Sequence, residues 1–129
     1  MKDFAAVSIL IVDDDLMIRE CLVAFLEDEG YQVKACSRAE DALKAIAENP
    51  PAVCLTDMRL PGMNGEELIR TVRAVAPGVR FLIHTGGCYE LPDDLVEAGM
   101  NAEDVLLKPI HDLSRLARLV SARAGMLRE

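Results

Sequence analysis

The stretch DMRLPGMNG, at residues 57–65, directly follows the apolar run AVCLT at residues 52–56. A short continuous apolar run of this kind is typical of a strand buried on both faces of a sheet. The strand therefore ends at the carboxylate of Asp57, and Pro61 with Gly62 then predicts a tight turn. Because a charge at the mouth of a buried strand is costly unless a partner neutralises it, other parts of the chain must supply that partner.

Strand-like and helix-like patterns alternate along the whole chain. Short apolar or alternating runs predict strands at residues 8–12, 31–36, 52–56, 79–83 and 105–107. Helical spacing, capping signals and Pro or Gly stops predict helices at about residues 15–29, 37–48, 64–76, 92–98 and 112–124. Two of these helices begin with predicted capping boxes, Ser37 with Glu40 and Asn64 with Glu67. This β-α order, repeated five times, predicts an α/β fold with a parallel sheet covered by helices on both faces.

Length and charge limit the kinds of protein this chain can be. Its 129 residues predict one domain, and its net charge of −8 argues against nonspecific binding to nucleic acid. No apolar run reaches the roughly 18 residues of a membrane span, and the N-terminus does not match a signal peptide. We therefore expect a cytoplasmic protein without a second domain. The sequence leaves open whether the chain is complete or a part of a longer regulator or hybrid kinase.

The chain contains four cysteines, at positions 21, 36, 54 and 88. None form a C-x-x-C pair, and three fall at apolar positions of predicted helices or strands. Free cysteine is among the most buried residue types, and disulfides are rare in reducing compartments. The pattern predicts buried free thiols.

Polar residues follow four of the five predicted strands. In open α/β sheets, ligands bind beyond the carboxyl ends of the strands, where this chain places Asp13, Asp14, Asp15, Asp57, Thr85 and Lys108. Clustered carboxylates repel by about 4 kcal/mol per close pair at an effective dielectric constant near 20. A Mg²⁺ ion relieves this repulsion, since it prefers one or two carboxylates plus waters and phosphate oxygens. A carboxylate can also form an aspartyl phosphate, whose charge Lys108 and Thr85 could stabilise.

Four motifs in this order resemble the response regulator receiver domains of two-component signalling. They are ILIVDDD, LTDMRLPGMNGEEL, the pair Thr85-Gly86 and the pair Lys108-Pro109. The resemblance covers about residues 7–124, which we take as the core of a single receiver domain formed by residues 1–129. It implies a flavodoxin-like (CheY-like) sheet with the strand order 2-1-3-4-5.

The resemblance also implies a role for each residue at the strand ends. Asp57 is implied as the phosphoacceptor, and Thr85 and Lys108 as the groups that contact the phosphoryl group. The implied Mg²⁺ ligands are Asp14, Asp57, the backbone carbonyl of Arg59 and, through water, Asp13. Asp15 is expected to be solvated or to cap a helix.

The implied partner is a sensor histidine kinase or a histidine phosphotransfer protein. We expect it to dock on exposed apolar residues among Leu16, Met17, Ile18 and Ile110. The protein would act as a signalling switch in a phosphorelay and would catalyse only its own phosphorylation and slow dephosphorylation. We expect neither direct nucleic-acid binding nor membrane binding.

Two other protein classes share parts of this pattern. A small phosphatase of the haloacid dehalogenase type would use Asp13 and Asp15, but it requires Thr or Val where this chain has Met17, and it would leave Asp57 idle. A flavodoxin would need a loop rich in hydroxyl residues and glycine in place of DDDLM at residues 13–17. The acids at this position could also simply cap a helix. His84 and His111 lack metal-ligand spacing, and we expect no functional role for either.

The chain departs from the family pattern after the fourth strand. The family usually has Tyr or Phe three residues before the lysine, and this chain has Val105, which puts a relay through a rotating ring in doubt. We expect backbone movement in residues 86–104 to carry the switch instead, with Gly86-Gly87 as a hinge. Residues 86–107 carry six acids and no Lys or Arg, whereas the last helix is basic. This asymmetry predicts at most a weak homodimer.

Overall fold

The computed structural model of the chain describes residues 7–125, so the other residues of the predicted domain lie outside the described part. The strands are β1 (Ser8–Val12), β2 (Gln32–Cys36), β3 (Val53–Asp57), β4 (Arg80–Thr85) and β5 (Val105–Leu107). The helices are α1 (Leu16–Asp28), α2 (Ala39–Glu48), α3 (Gly65–Val75), α4 (Asp93–Glu97) and α5 (Leu113–Arg123). A 3₁₀ turn at Ala102–Asp104 leads into β5.

The five strands form one parallel sheet in the order β2-β1-β3-β4-β5, which confirms the predicted fold class and strand order. The central strand β3 is buried along its whole length, whereas β2, which lies at an edge of the sheet, is largely exposed. The register pairs Val12 with Thr56 and Asp57 with His84. The strand ends therefore meet along one rim of the sheet.

Two apolar layers cover the two faces of the sheet, because residues alternate between faces along each strand. On one face, Leu10 and Ile83 pack with Leu68 of α3. On the other, Ile11 packs with Leu26 of α1 and with α5. Each such buried side chain stabilises the fold by roughly 1.5–3 kcal/mol. Within residues 7–125, every helix is too short or too polar to cross a membrane.

The helix starts test the two predicted capping boxes. At α3, the Asn64 side chain accepts from the Glu67 amide at 2.9 Å and the Glu67 side chain accepts from the Asn64 amide at 2.9 Å, so this box is confirmed. The predicted box of Ser37 with Glu40 is wrong. Helix α2 begins one residue later than that motif requires, with Arg38 at the N-cap and no side-chain capping bond within the described residues.

The cysteines are free thiols, as predicted, but their predicted burial is wrong at two positions. Cys54 is buried in the sheet, and Cys36 is half-buried, which raises the pKa of its thiol to about 11. Cys21 and Cys88 are exposed. Cys21 lies on α1, where an apolar residue type does not by itself indicate which side of the helix it occupies.

Candidate functional site

Three carboxylates converge at the carboxyl ends of β1 and β3. Asp13 and Asp57 are almost fully buried, with 1% and 6% of their surfaces exposed, whereas Asp14 is exposed. Oxygen atoms of the three side chains lie within 4.8 Å of one another. Oxygen donors of this kind, one of them open to solvent, fit a hard divalent cation that also retains water ligands. The structure therefore brings together the three aspartates that the sequence predicts as a metal site.

Lys108 joins this cluster from the segment after β5. Its Nζ atom lies 2.8 Å from Oδ2 of Asp57 and 3.1 Å from Oδ2 of Asp13. The Lys108 amide donates to the Thr85 carbonyl at 2.8 Å, and the Lys108–Pro109 peptide bond is cis. Thr85 is the last residue of β4 and is buried at the same rim.

The charges in the cluster stabilise one another. Burial alone would raise the pKa of Asp13, but contacts with His84, the Asp15 amide and Lys108 hold it below its ordinary value. Burial alone would lower the pKa of Lys108, but its contacts with Asp57 and Asp13 hold that pKa above its ordinary value. Asp13 and Lys108 are therefore both charged at neutral pH.

The turn after Asp57 holds this residue by its backbone and its side chain. The Arg59 amide donates to Oδ1 of Asp57 at 3.2 Å, and the Thr56 hydroxyl donates to the Asp57 carbonyl at 2.9 Å. The Gly65 amide closes the turn by donating to the Met58 carbonyl at 2.9 Å. The stretch 57–65 thus holds Asp57 at the mouth of β3 while one of its carboxylate oxygens faces Lys108.

Asp13 is fixed by its neighbours, and Asp15 serves the helix. Oδ1 of Asp13 accepts from the Asp15 amide at 2.9 Å, and the Asp13 carbonyl accepts from Nη1 of Arg19 at 2.7 Å. Asp15 is exposed and caps α1 by accepting from the Ile18 amide at 3.0 Å. Both parts of the expectation for Asp15 are confirmed.

The predicted set of site residues omits His84, which the structure places beside Asp13. The imidazole is 3% exposed, and its Nδ1 atom lies 3.8 Å from Oδ2 of Asp13. The available sequence signal was a polar residue that directly follows the apolar run FLI of β4. Its position opposite Asp57 depends on the strand register, which the sequence does not show.

An apolar groove of about 510 Å³ opens next to this cluster, between α1 and the segment after β5. It is lined by Met17, Ile18, Cys21, Leu22, His84, Gly86, Lys108, Pro109, Ile110 and Leu113. Met17 is 80% exposed, and the neighbouring Leu16 is exposed as well. Three of the four residues predicted as a docking patch therefore line one groove, and the fourth is exposed beside it.

A second hollow, of about 790 Å³, lies between the loop after β4, α4 and β5. Its lining includes Tyr89 from the loop and Val105 from β5. The Tyr89 hydroxyl donates to Glu66 of α3 at 2.5 Å. An aromatic ring thus borders the space beside Val105, but it comes from the loop rather than from position 105. No pattern in the sequence predicts a role for Tyr89.

The acidic region 86–107 is partly neutralised within the chain. Arg70 of α3 forms an ion pair with Asp94 at 2.8 Å. The buried Asp104 forms an ion pair with Arg123 of α5 at 2.7 Å. The charge asymmetry in the sequence therefore overstates the charge that the folded surface leaves unpaired.

Known proteins share this fold and much of this sequence. The family model for the response regulator receiver domain matches residues 9–121. The transcriptional regulatory protein AruR of Pseudomonas aeruginosa is 36% identical over 135 residues, covering 94% of this chain and 54% of AruR. A 14.6 kDa protein of Leptolyngbya boryana is 35% identical over 123 residues, covering 93% of this chain and 92% of that protein.

Solved structures agree with these sequence matches. The receiver domain (CheY-like) from Methylobacillus flagellatus superposes with a TM-score of 0.78 at 25% identity, covering 91% of this chain and 98% of that one. A receiver domain protein from Clostridium thermocellum gives a TM-score of 0.79 at 25% identity, with coverage of 92% and 94%. The chain spans about half the length of AruR, which is 54% covered. Because the family model matches most of the chain and the sheet has the same topology, this chain belongs to the response regulator receiver domains of two-component signalling, which are phosphoswitches rather than enzymes.

Proposed function

We propose that Asp57 accepts a phosphoryl group from a sensor histidine kinase or a histidine phosphotransfer protein, and that Mg²⁺ is required. The observation that carries this proposal is the buried carboxylate of Asp57, 2.8 Å from Lys108 and grouped with Asp13 and Asp14. Residues at this rim come from segments far apart in the chain. Family membership rules out the haloacid dehalogenase alternative, in which Asp57 would have no role.

The residues of the cluster suit transfer from a phosphohistidine. A carboxylate oxygen of Asp57 attacks phosphorus, the new O–P bond forms as the N–P bond breaks, and the histidine leaves with the electron pair of that bond. Lys108 neutralises charge on the phosphoryl oxygens, and the Thr85 hydroxyl donates a hydrogen bond to one of them. Asp14, Asp57 and the Arg59 carbonyl would hold Mg²⁺ directly and Asp13 would hold it through water, and the bound ion would neutralise phosphoryl charge.

The wild-type chain provides the direct test. Incubation with a small phosphodonor such as acetyl phosphate should add the mass of one phosphoryl group, and removal of Mg²⁺ by a chelator should prevent it. Intact-mass measurement reads both results. Labelling that proceeds equally well in the presence of chelator would contradict the metal assignment.

We further propose that the protein donor docks in the groove beside α1, where Met17 is exposed. Met17→Glu should slow transfer from the protein donor roughly tenfold, since losing an apolar anchor costs about 1–2 kcal/mol. Transfer from acetyl phosphate should be unchanged. Rapid-mixing measurement of both transfer rates checks this.

Val75→Glu is the matched control for this substitution. Val75 is 75% exposed, but it ends α3, about 15 Å along the helix from Gly65, which lies beside Asp57. The same new charge there should leave both rates unchanged. Equal slowing of the two donors by Met17→Glu would place the effect in the site rather than in docking.

We propose that backbone movement in residues 86–104 carries the conformational switch. Valine at position 105 is half-buried and stiff, so it cannot sweep the space that a rotating ring would. A β-carbon at Gly86 or Gly87 would meet nothing within 4 Å among the described residues, so no packing on that side opposes movement of the loop. A stable phosphoryl mimic should change amide exchange in residues 86–104 by roughly fivefold or more, the lower end of allosteric coupling.

Two variants sharpen this expectation. Val105→Tyr should change how far the exchange response extends towards β5 while leaving the phosphorylation rate nearly unchanged. Wild-type exchange that does not respond to the mimic anywhere in residues 86–104 would reject the loop-borne switch. The adjacent Leu106→Ile, a volume-conserving change in the same strand, serves as the control.

The remaining proposals concern the context of the domain. We propose a single receiver domain with a core at about residues 7–124, in the cytoplasm, where its four thiols remain reduced. Since Asp94 and Asp104 already pair with arginines of the same chain, any homodimer held by acidic and basic surfaces is weak. AruR is named a transcriptional regulatory protein. We propose that the switch described here likewise controls an output, in this chain or another.

A further inference from the structure

His84 is a polar side chain buried at the end of β4. Neither ring nitrogen has a hydrogen-bond partner among the described residues, and the side chain is 3% exposed. An unsatisfied buried polar group typically costs about 1–3 kcal/mol. The rest of the strand core, Phe81 to Ile83, is apolar, so an apolar residue at position 84 would avoid this cost. A buried polar side chain without hydrogen-bond partners calls for a functional explanation.

The imidazole lies close to a buried carboxylate of the aspartate cluster. Nδ1 of His84 lies 3.8 Å from Oδ2 of Asp13, and this oxygen is also buried without a hydrogen bond from the described residues. The other oxygen of Asp13 is already held by the Asp15 amide at 2.9 Å. An approach of about 0.8 Å brings Nδ1 to the usual N–H···O distance.

Lys108 cannot satisfy Asp13 and Asp57 equally well. Its Nζ atom donates to Asp57 at 2.8 Å, whereas its 3.1 Å approach to Asp13 is an ion pair without hydrogen-bond alignment. A phosphoryl group on Asp57 draws the ammonium further towards that residue. Asp13 then needs another donor, because a buried carboxylate with a free oxygen is costly. His84 is positioned to supply it.

We propose that His84 is a positioning residue for Asp13: its Nδ1–H donates to Oδ2, orients the carboxylate towards the metal and leaves Lys108 free for the phosphoryl group. The inference rests on the proposed function, because it assigns His84 to the same site. Outer-shell groups at a metal site typically change metal affinity by 10–100-fold when they are removed, and the smaller change is expected here because Asp13 would reach the ion through water. The effect on metal affinity depends on the N–H donor of His84 rather than on the volume of its ring.

Calorimetric titration of the unphosphorylated protein with Mg²⁺ tests this without relying on phosphorylation. His84→Leu fills a similar volume without a donor and should weaken Mg²⁺ binding roughly tenfold. His84→Asn retains an N–H donor close to the position of Nδ1 and should restore affinity to within about threefold of wild type. His111→Leu removes the exposed second histidine and should leave affinity unchanged.

The outcomes separate this inference from the proposed function. If the wild type binds Mg²⁺ and His84→Leu binds it equally well, only the role of His84 is overturned. If the wild type neither binds Mg²⁺ nor becomes phosphorylated, the proposed function fails and takes this inference with it. Equal weakening by Leu and Asn would show that ring shape matters rather than hydrogen bonding, and would also overturn the proposal.

A measurement on the wild type keeps the test valid if His84→Leu does not fold. Long-range ¹H–¹⁵N correlation spectra report which imidazole nitrogen carries hydrogen. We expect hydrogen on Nδ1 of His84 and a change in its nitrogen shift on Mg²⁺ addition. A ring with hydrogen on Nε2 alone cannot donate to Asp13, and that result would overturn the proposal.

Discussion

Replacing Asp57 with asparagine should reduce phosphorylation by acetyl phosphate to below detection. The amide preserves the shape of the side chain but removes the charged nucleophilic oxygen that the O–P bond requires. It also removes the carboxylate that Lys108 contacts at 2.8 Å, so the ammonium should shift towards Asp13. Intact-mass measurement with and without Mg²⁺ provides the readout. Full labelling of Asp57→Asn would show that another residue is the acceptor.

Substitutions of the two aspartates Asp14 and Asp15 should have different effects on labelling. Asp14→Ala should also lose labelling, but mainly through loss of the metal, so excess Mg²⁺ should restore part of it. Asp15→Asn should label normally, since Asp15 lies outside the cluster and asparagine can still cap α1. A large loss of labelling in Asp15→Asn would show that Asp15 also belongs to the functional cluster.

Gly65→Ala should destabilise the fold by about 2–3 kcal/mol, at the upper end for an overpacked site. A β-carbon at this position would lie 2.5 Å from the Asp57 carbonyl oxygen and 3.1 Å from Cα of Met58. These are backbone atoms of the turn that holds the phosphoacceptor, so relief of the clash must move either α3 or Asp57. We therefore also expect slower phosphorylation. Urea unfolding measures the first effect, as a lower midpoint with an unchanged slope.

Gly78→Ala is the matched control for Gly65→Ala. A β-carbon at Gly78 would meet nothing within 4 Å among the described residues, and its backbone is not in the left-handed region. Its substitution should be neutral or stabilise the fold by up to about 1 kcal/mol, through lower entropy of the unfolded chain. If the two alanine variants unfold at the same urea concentration, Gly65 is not packed as closely against the Asp57 backbone as the structure indicates.

The two capping motifs show how far local sequence predicts this fold. Asn64 with Glu67 and Ser37 with Glu40 have equivalent spacing, but only the first forms a capping box. Glu40 instead lies beside the turn at Gly62, where a β-carbon would come within 2.9 Å of its Oε2 atom, and it forms an ion pair with Arg38 at 3.5 Å. The 57–65 turn, which is distant in the chain, thus forms part of the surroundings of Glu40, and no pattern within residues 37–40 indicates it.

The site divides in a similar way into predictable and unpredictable parts. Asp13, Asp57 and Lys108 were predictable because each follows a strand, and parallel strands end at the same edge of a sheet. His84 was not, because its proximity to Asp13 depends on which residues of neighbouring strands lie side by side. Exposure of Cys21 likewise depends on the rotation of α1 against the sheet.

Two adjacent residues at the start of α3 contact distant parts of the molecule. Gly65 packs against the backbone carbonyl of Asp57, and the next residue, Glu66, accepts the hydroxyl of Tyr89. A displacement of the Asp57 backbone should therefore reach the loop after β4 through Gly65 and Glu66, without involving position 105. Gly65 and Glu66 thus connect the backbone of Asp57, the proposed phosphoacceptor, with the loop after β4. A chain with valine at position 105 thus has a packed connection from the acidic rim to the loop after β4, formed by two adjacent residues.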